Sequence, residues 1–231
     1  MRKVMDTTRL LALCLLLGVS ACGGNGEEAG GGEAGAEAGP IDMTAVSTNL
    51  QGTAPDLFRA RFETSRGDFL VEVTRAWSPA GADRFYNLVS HGYLDGVRFF
   101  RVIEGFMAQF GINGDPTIAA LLREENFLDD LVVESNTRGK MTFAKTGQPN
   151  SRSTQIFINL APNTNLDALG FSPFGEIVEG MEVVNQLYSG YGEGAPGGNG
   201  PDQGRIQAEG NTYLNADFPN LDYVERASIE G

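Results

Sequence analysis

The chain has very few of the side chains that most often supply nucleophilic or metal-based chemistry. Its 231 residues include one histidine, one tryptophan and two cysteines. Both cysteines, Cys14 and Cys22, lie near the N-terminus, in or beside a segment that we expect to be removed or modified. No thiol then remains in the folded part to form a disulfide or bind a metal, so its stability must come from its core. We therefore predict no metal site in the folded part.

Positive charge is also scarce. The chain has 17 basic and 30 acidic residues and a formal net charge of −13. Removal of residues 1–21, which include Arg2, Lys3, Asp6 and Arg9, would leave 14 basic and 29 acidic residues and a charge of −15. This excess of negative charge argues against nucleic acid and anionic lipid head groups as partners.

The N-terminal apolar segment is too short to span a membrane. Leu10 to Val19 falls far below the roughly 20 residues that a spanning helix needs, and basic residues precede it. We therefore predict that residues 1–21 are an export signal. The run from Val19 to Cys22 resembles the bacterial lipobox, which implies acylation of Cys22 and firm anchoring to a membrane. In such lipoproteins an aspartate after the acylated cysteine is the usual signal for retention in the inner membrane. This chain has Gly23 at that position, which favours anchoring in the outer membrane with the domain facing the periplasm. The alternative is an ordinary cleaved signal with an incidental cysteine.

Residues 23–40 contain only Gly, Glu, Ala, one Asn and one Pro. This composition has too little apolar surface to fold by itself. We predict a flexible tether over residues 22–55, with a reach of roughly 30–35 Å for about 35 residues.

From residue 56 to 189 the pattern predicts many short strands and two helices. Residues 58–64 alternate in polarity, and a Ser-Arg-Gly-Asp turn leads into residues 69–74, as in a hairpin. A helix is expected from Pro79 to the turn before Gly92, and a second over residues 181–188. Further strands are predicted at residues 97–103, 106–111, 141–145, 154–160 and 174–178. This pattern fits a closed antiparallel barrel capped at its ends.

The remaining segments are weaker signals. Residues 192–197 fit GxGxxG, but a helix and not a strand is predicted before them and no helix after, so we interpret them as a flexible connection. Acidic residues at 124–134 lack EF-hand spacing and predict a solvated insert. The C-terminal extension, residues 190–231, is apolar enough that we expect it to pack on the barrel.

Two stretches place polar groups among large apolar ones. FFRVIEGFMAQFG, residues 99–111, sets Arg101 between Phe100 and Val102 on a strand, where a charge is costly unless it is paired or used. GKMTFAKTGQPNSRSTQIFINL, residues 139–160, predicts two strands around a polar turn. Together they resemble the cyclophilin-type peptidyl-prolyl cis/trans isomerases over residues 56–187. The matching residues are Phe99, Arg101, Ile103, Gly105, Phe106, Met107, Gln109, Ala144, Gly147, Gln155, Phe157 and Ile158.

The resemblance implies a mainly β fold, a closed eight-stranded antiparallel barrel capped by two helices, and an isomerase that needs no cofactor. It implies that Arg101 is the catalytic donor and that Gln109 supports it. The resemblance implies that Phe106, Met107, Phe157 and Leu166 surround the proline ring of the substrate. Ala144 and Lys145 would bind the peptide through their backbones, and Gln155 and Phe171 complete the implied substrate-binding positions. The expected partners are Xaa-Pro polypeptides, bound by a monomer that assists folding of exported proteins in the cell envelope.

Three positions depart from the family pattern. Asn165 replaces a common tryptophan, Lys145 replaces a common asparagine, and no histidine matches the family's pocket histidine, since His91 follows the first helix. We therefore expect weak binding of cyclosporin-type ligands. Two alternatives stay open. The pocket residues could be plain core, with Arg101 paired to Glu104 or Glu176. The groove could also hold Pro-containing segments with little or no turnover, as a chaperone module does.

Overall fold

The computed structural model describes residues 50–230. The predicted export signal, Cys22 and most of the predicted tether lie outside the described residues. Within residues 50–230, no helix combines the length and the apolar character needed to cross a membrane.

Eight antiparallel strands form one curled sheet, as predicted. They are β1 (Leu57–Thr64), β2 (Gly67–Thr74), β3 (Arg101–Ile103), β4 (Met107–Phe110), β5 (Lys140–Phe143), β6 (Ile156–Asn159), β7 (Pro173–Glu179) and β8 (Val224–Glu230). Their order in the sheet is β3-β4-β6-β5-β7-β2-β1-β8. The fold is therefore mainly β, and the sheet curls into a half-barrel.

The two edges of the sheet meet through a short bridge, and not through a β3–β8 ladder. The Gly96 N–H donates to the Val224 carbonyl at 2.8 Å, and the Phe99 N–H donates to the Asp222 carbonyl at 2.9 Å. The closing contact thus lies just before β3 and around the start of β8. It fixes where β3 begins, and β3 carries Arg101.

Four helices accompany the sheet: α1 (Pro79–Ser90), α2 (Pro116–Arg123), α3 (Met181–Val184) and α4 (Gln203–Asp217). Helix α1 was predicted, and it packs against β7 and β8. Helix α3 ends at Val184, four residues before the predicted end at Tyr188. Helices α2 and α4 were not predicted.

Asp130 caps α1, so the prediction that the acidic residues at 124–134 form a solvated insert is confirmed for the exposed Glu124 and Glu125 and wrong for Asp130. Its carboxylate accepts hydrogen bonds from the Ser78 hydroxyl at 2.6 Å and from the Ala80 and Gly81 N–H groups at 3.2 and 3.1 Å. A carboxylate satisfies the free N–H groups of a helix start and complements its dipole. The prediction failed because the helix and its cap are about 50 residues apart in the chain.

A cluster of phenylalanines fills the interior. Phe62 stacks on Phe69 with ring centroids 4.8 Å apart, and Phe85 of α1 lies 4.9 Å from Phe174 of β7. All four side chains are fully buried, each contributing about 1.5–3 kcal/mol of burial free energy. These contacts hold helix α1 against the curled sheet.

The C-terminal segment is part of the domain structure. Its residues Ile206, Tyr213, Leu214 and Leu221 are buried with Phe100, which precedes β3. Strand β8 pairs with β1 and completes the count of eight, of which the sequence pattern placed seven. Phe218 and Tyr223 are only half-buried. The segment therefore packs directly behind the strand that carries Arg101.

Candidate active site

Strand register brings the candidate catalytic pair together. Arg101 on β3 lies opposite Gln109 on β4, and Gln109 lies opposite Phe157 on β6. Because directly opposite residues in an antiparallel sheet point to the same face, these three side chains share one side of the sheet. Alternate residues along each strand extend this face, so Met107 lies on it as well.

A groove of about 300 Å³ lies over this face. All ten predicted catalytic and substrate-binding residues line it: Arg101, Phe106, Met107, Gln109, Ala144, Lys145, Gln155, Phe157, Leu166 and Phe171. Four further residues line it that were not predicted: Thr146, Ser151, Ser153 and Gln203. The first three lie on the polar turn between β5 and β6. Gln203 begins α4, so the C-terminal extension also contributes to the groove.

Three side chains form a hydrogen-bonded chain along the groove. Arg101 Nη1 donates to Gln109 Oε1 at 3.0 Å, and Gln109 Nε2 donates to Gln155 Oε1 at 2.8 Å. Arg101 Nη1 also lies 3.8 Å from the sulfur of Met107. Gln109 thus orients the guanidinium with its oxygen while Gln155 holds its nitrogen.

The charge partner of Arg101 is Glu193, which the sequence analysis missed. Arg101 Nε and Nη2 donate to the two carboxylate oxygens of Glu193 at 2.6 and 2.7 Å. The two partners proposed as the structural alternative are engaged elsewhere. Glu104 accepts from the Ser189 hydroxyl at 2.7 Å, and Glu176 pairs with Lys140 at 2.9 Å.

The contact with Arg101 lowers the pKa of the Glu193 carboxyl. The hydrogen bonds from Arg101 hold the pKa of the Glu193 carboxyl below its usual value; burial opposes them, and the charge of Arg101 and the Gly194 N–H add to the lowering. The carboxylate is therefore ionised at neutral pH and the ion pair is complete.

The other half of the groove is apolar. Met107, Phe157 and Leu166 form a small buried cluster with Phe106 and Phe171 packed against it. The Phe157 and Phe171 rings meet edge to face with centroids 5.8 Å apart. An aromatic wall of this kind fits a small aliphatic ring, with the Arg101 guanidinium at its edge.

A network of amides holds the loop that carries Leu166 and Phe171. Asp167 accepts from the Ser135 hydroxyl and from the backbone and side-chain N–H groups of Asn136, at 2.5, 2.9 and 2.8 Å. Asn136 also donates to the Phe171 carbonyl at 2.8 Å, and Asn163 donates to the Phe106 carbonyl at 2.8 Å. Burial raises the pKa of Asp167, but these donors outweigh it and lower the pKa overall. The ionised carboxylate thus anchors one wall of the groove.

One of the two backbone groups of Ala144 that were expected to hydrogen-bond to a bound peptide is already engaged within the protein. The Ala144 N–H already donates to the Gln155 carbonyl at 2.9 Å, which leaves the Ala144 carbonyl as the group able to pair with a bound peptide. The Lys145 ammonium lies 3.8 Å from the Asp129 carboxylate and 5.8 Å from the centre of the Phe171 ring.

The residues at the departures from the family pattern lie as follows. Asn165 is exposed, in the 3-10 segment Thr164–Leu169. Trp77 lies under the Lys140 ammonium, 3.7 Å from the ring centre, and His91 ends α1 with Nδ1 2.8 Å from the Asn87 carbonyl. Neither Trp77 nor His91 is among the described residues that line the groove.

The GxGxxG segment is an ordered loop. The Gly200 N–H donates to the Glu193 carbonyl at 2.8 Å, and the Ala195 N–H donates to the Gly200 carbonyl at 3.1 Å. Helix α4 begins three residues later, so the expectation that no helix follows was wrong. The segment presents Glu193 to Arg101. Among residues 50–230, no group of three metal-ligating side chains is gathered in one place.

Comparisons with known proteins agree with this geometry. The family model of the cyclophilin type peptidyl-prolyl cis-trans isomerases matches residues 59–206. A peptidyl-prolyl cis-trans isomerase of Acinetobacter baylyi is 33% identical over 135 residues, covering 54% of this chain and 69% of that protein. One from Arabidopsis thaliana is 34% identical over 150 residues, covering 62% of this chain and 87% of that protein.

A solved structure shares the fold. The crystal structure of a cyclophilin type isomerase of Cryptosporidium parvum superposes with a TM-score of 0.57 at 22% identity, covering 76% of this chain and 98% of that one. The chain belongs to the cyclophilin-type peptidyl-prolyl cis-trans isomerases, an isomerase family of the EC 5.2.1.8 type. The family match ends at residue 206, before β8 and most of α4.

Proposed function

We propose that the groove isomerises Xaa-Pro bonds with Arg101 as the catalytic residue. The observation that carries this proposal is the guanidinium at the edge of an apolar, aromatic-walled pocket, held there by Gln109. The barrier of about 18–20 kcal/mol comes from amide resonance. As the bond twists, the prolyl nitrogen regains a lone pair, which a fixed N–H donor can bind.

This interaction accelerates the reaction because it is stronger in the twisted state than in the planar one. A hydrogen bond to a charged group contributes about 1.5–3 kcal/mol, or roughly 10- to 100-fold in rate at about 1.4 kcal/mol per decade. Other groups must therefore add to it. Phe106, Met107, Phe157 and Leu166 would hold the proline ring still while the preceding carbonyl rotates, and Gln155 would line the path of the peptide.

We further propose that the substrates are exported proteins and that the enzyme works in the bacterial cell envelope. The support is in the sequence: the export-signal pattern of residues 1–21, the lipobox-like run ending at Cys22, and the Gly-rich composition that follows. A tether of this length would let the domain act on chains emerging near the outer membrane. Because uncatalysed Xaa-Pro isomerisation takes tens of seconds, an isomerase at that place would speed the folding of these chains.

The proposal is tested by measuring cis/trans exchange of a series of short Xaa-Pro peptides with the purified protein, by a protease-coupled assay and by exchange NMR. Catalysed exchange without added metal is expected. Binding of the peptides without faster exchange would instead establish the alternative, a module that holds Pro-containing segments.

A further inference from the structure

The Glu193 carboxylate contacts the Arg101 guanidinium on the side that Gln109 does not occupy. Arg101 lines the groove, whereas Glu193 is not among the described residues that do so. Glu193 takes the Nε and Nη2 side of the guanidinium, and Gln109 takes Nη1. Of the five N–H donors of an arginine, three are thus engaged with oxygen. The other two, one on Nη1 and one on Nη2, are not engaged with oxygen and remain for a bound peptide, which would displace the weak contact between Nη1 and the Met107 sulfur at 3.8 Å.

Besides a distant contact with the Phe106 ring, whose centre lies 5.9 Å from Arg101 Cζ at the limit of a cation–π interaction, the contacts of the guanidinium that would remain without Glu193 both involve Nη1. These are the hydrogen bond to Gln109 at 3.0 Å and the contact with the Met107 sulfur at 3.8 Å. A planar group held at one nitrogen can pivot about that bond, whereas a two-point carboxylate fork fixes its plane. We propose that Glu193 is a positioning residue for the isomerisation, which sets the plane of the Arg101 guanidinium and so aims its free N–H groups at the twisted amide.

The loop that carries Glu193 is built to hold it in place. The Gly194 N–H donates to Glu193 Oε1 at 2.9 Å, and the Gly200 N–H donates to the Glu193 carbonyl at 2.8 Å. A Cβ atom at Gly198 would lie 2.4 Å from that carbonyl oxygen, so only glycine fits this close approach. Gly194, Gly198 and Gly200 thus close a tight loop around Glu193, the one acidic residue in residues 192–200.

An opposing effect must be weighed. A carboxylate also offsets the positive charge of Arg101, which weakens the guanidinium as an electrostatic donor. The Glu193 side chain is 43% exposed and the Arg101 side chain 22%, so water screens much of this charge interaction. Screening does not relax the geometry of the fork. Orientation therefore outweighs charge compensation, and the same exposure means that the pair contributes little to folding stability.

The test replaces Glu193 in the full chain and measures kcat and KM separately by exchange NMR on an Xaa-Pro peptide. Since the apolar pocket still binds the peptide, Glu193→Ala should lower kcat about fivefold to tenfold with KM changed less than about twofold. Glu193→Gln keeps one acceptor oxygen and should lose less. Glu104→Gln is the matched control, because it removes a nearby exposed carboxylate that binds Ser189 and not Arg101. Its kcat should equal that of the wild type.

A double-mutant cycle links the effect to Arg101. In an Arg101→Lys background the fork no longer exists, so Glu193→Ala should have no further effect on kcat. The inference rests on the proposed role of Arg101, which the Arg101→Lys single variant tests by itself. If Arg101→Lys is impaired but Glu193→Ala has unchanged or higher kcat, the positioning role of Glu193 is overturned. An equal loss of kcat from Glu193→Ala in both backgrounds would overturn it as well.

Discussion

Gln109 lies directly across the β3–β4 pair from Arg101, and its side-chain oxygen accepts from the Arg101 guanidinium at 3.0 Å. The same amide donates to Gln155 at 2.8 Å, so its orientation is fixed by two partners of opposite kind. An arginine held in this way is not a surface charge that happens to face the groove. Its donors are fixed in direction before a peptide binds, which is what electrostatic stabilisation of a transition state requires.

Replacement of Arg101 should abolish most of the activity and leave the fold intact. Arg101→Ala removes the donor to the prolyl nitrogen, so kcat/KM should fall at least about tenfold, as expected for the loss of a charged hydrogen bond. The melting temperature should barely move because the Arg101 side chain is partly exposed. Arg59→Ala is the control, since Arg59 is a strand arginine that pairs with Glu72 at 2.9 Å and is not among the described residues that line the groove. Equal activity in wild type and Arg101→Ala would refute the mechanism.

Loss of the Gln109 amide should weaken catalysis less than loss of Arg101. In Gln109→Leu, Arg101 Nη1 and the Gln155 oxygen both lose a partner while the volume of the side chain is nearly kept. The guanidinium remains in the groove but is less well oriented, so we expect kcat to fall roughly threefold to tenfold with a small change in KM. Kinetics of both variants by exchange NMR check this order. A larger loss in Gln109→Leu than in Arg101→Ala would contradict it.

The strand-borne part of the site could be predicted because it depends on local pattern. Arg101, Met107, Gln109 and Phe157 lie on short strands, where the alternation of side chains decides which face each one takes. Their motif spacing then carried over from the family. The other six predicted groove residues lie outside the strands, so their placement could be predicted only from the family motif.

Glu193 and Asp130 could not be predicted in the same way. Glu193 reaches Arg101 across 92 residues, and Asp130 caps a helix about 50 residues away. Each contact depends on the path of a loop through space, about which neighbouring residues say little. An acidic residue among glycines looks the same whether it faces water or an arginine. Strand β8 was missed for a related reason, since its alternation is weak and its paired residues on β1 lie 160 to 171 positions away in the chain.

Acid should loosen one wall of the groove. The pKa of Asp167 is lowered in the folded protein, because hydrogen bonds from Ser135 and Asn136 outweigh the opposing effect of burial. A carboxyl with a lowered pKa stabilises the fold above its unfolded pKa of about 3.9, and this contribution is lost as the pH falls through its folded pKa. Asp167→Asn should show less acid destabilisation than the wild type between about pH 5 and the folded pKa, with a higher KM at neutral pH. Urea unfolding as a function of pH measures the first, and peptide kinetics the second. Identical pH dependence in the two proteins would argue against this role for Asp167.

Membrane attachment should depend on one sulfur atom. Cys22→Ser removes the thiol on which acylation would occur, so the protein should remain unacylated and should be uncleaved or missorted. Metabolic labelling with palmitate and partitioning into detergent check this in the native host, with Cys14→Ser as the control, since Cys14 lies within the predicted export signal. If partitioning of Cys22→Ser equals that of the wild type, the anchor lies elsewhere or the signal is an ordinary cleaved one.

The C-terminal extension should be needed for both stability and activity. The catalytic and substrate-binding residues predicted from the sequence all lie between Arg101 and Phe171, which assigned the groove to residues before the C-terminal extension. That assignment was wrong, because Gln203 lines the groove and the extension packs against Phe100 beside Arg101.

Truncation after Gly200 removes α4 and β8 and uncovers Phe100 and Ile112. Each large buried side chain lost is worth about 1.5–3 kcal/mol, against a total stability of about 5–15 kcal/mol, so the truncated chain should aggregate or melt far below the wild type. Point variants separate the two roles. Ile206→Ala deletes a fully buried side chain outside the groove and should lower the melting temperature while kcat/KM at low temperature is kept. Gln203→Ala should leave the melting temperature unchanged and alter KM. A truncated protein that is as stable and as active as the full chain would show that the extension is dispensable, since neither its packing on Phe100 nor its contribution to the groove would then matter.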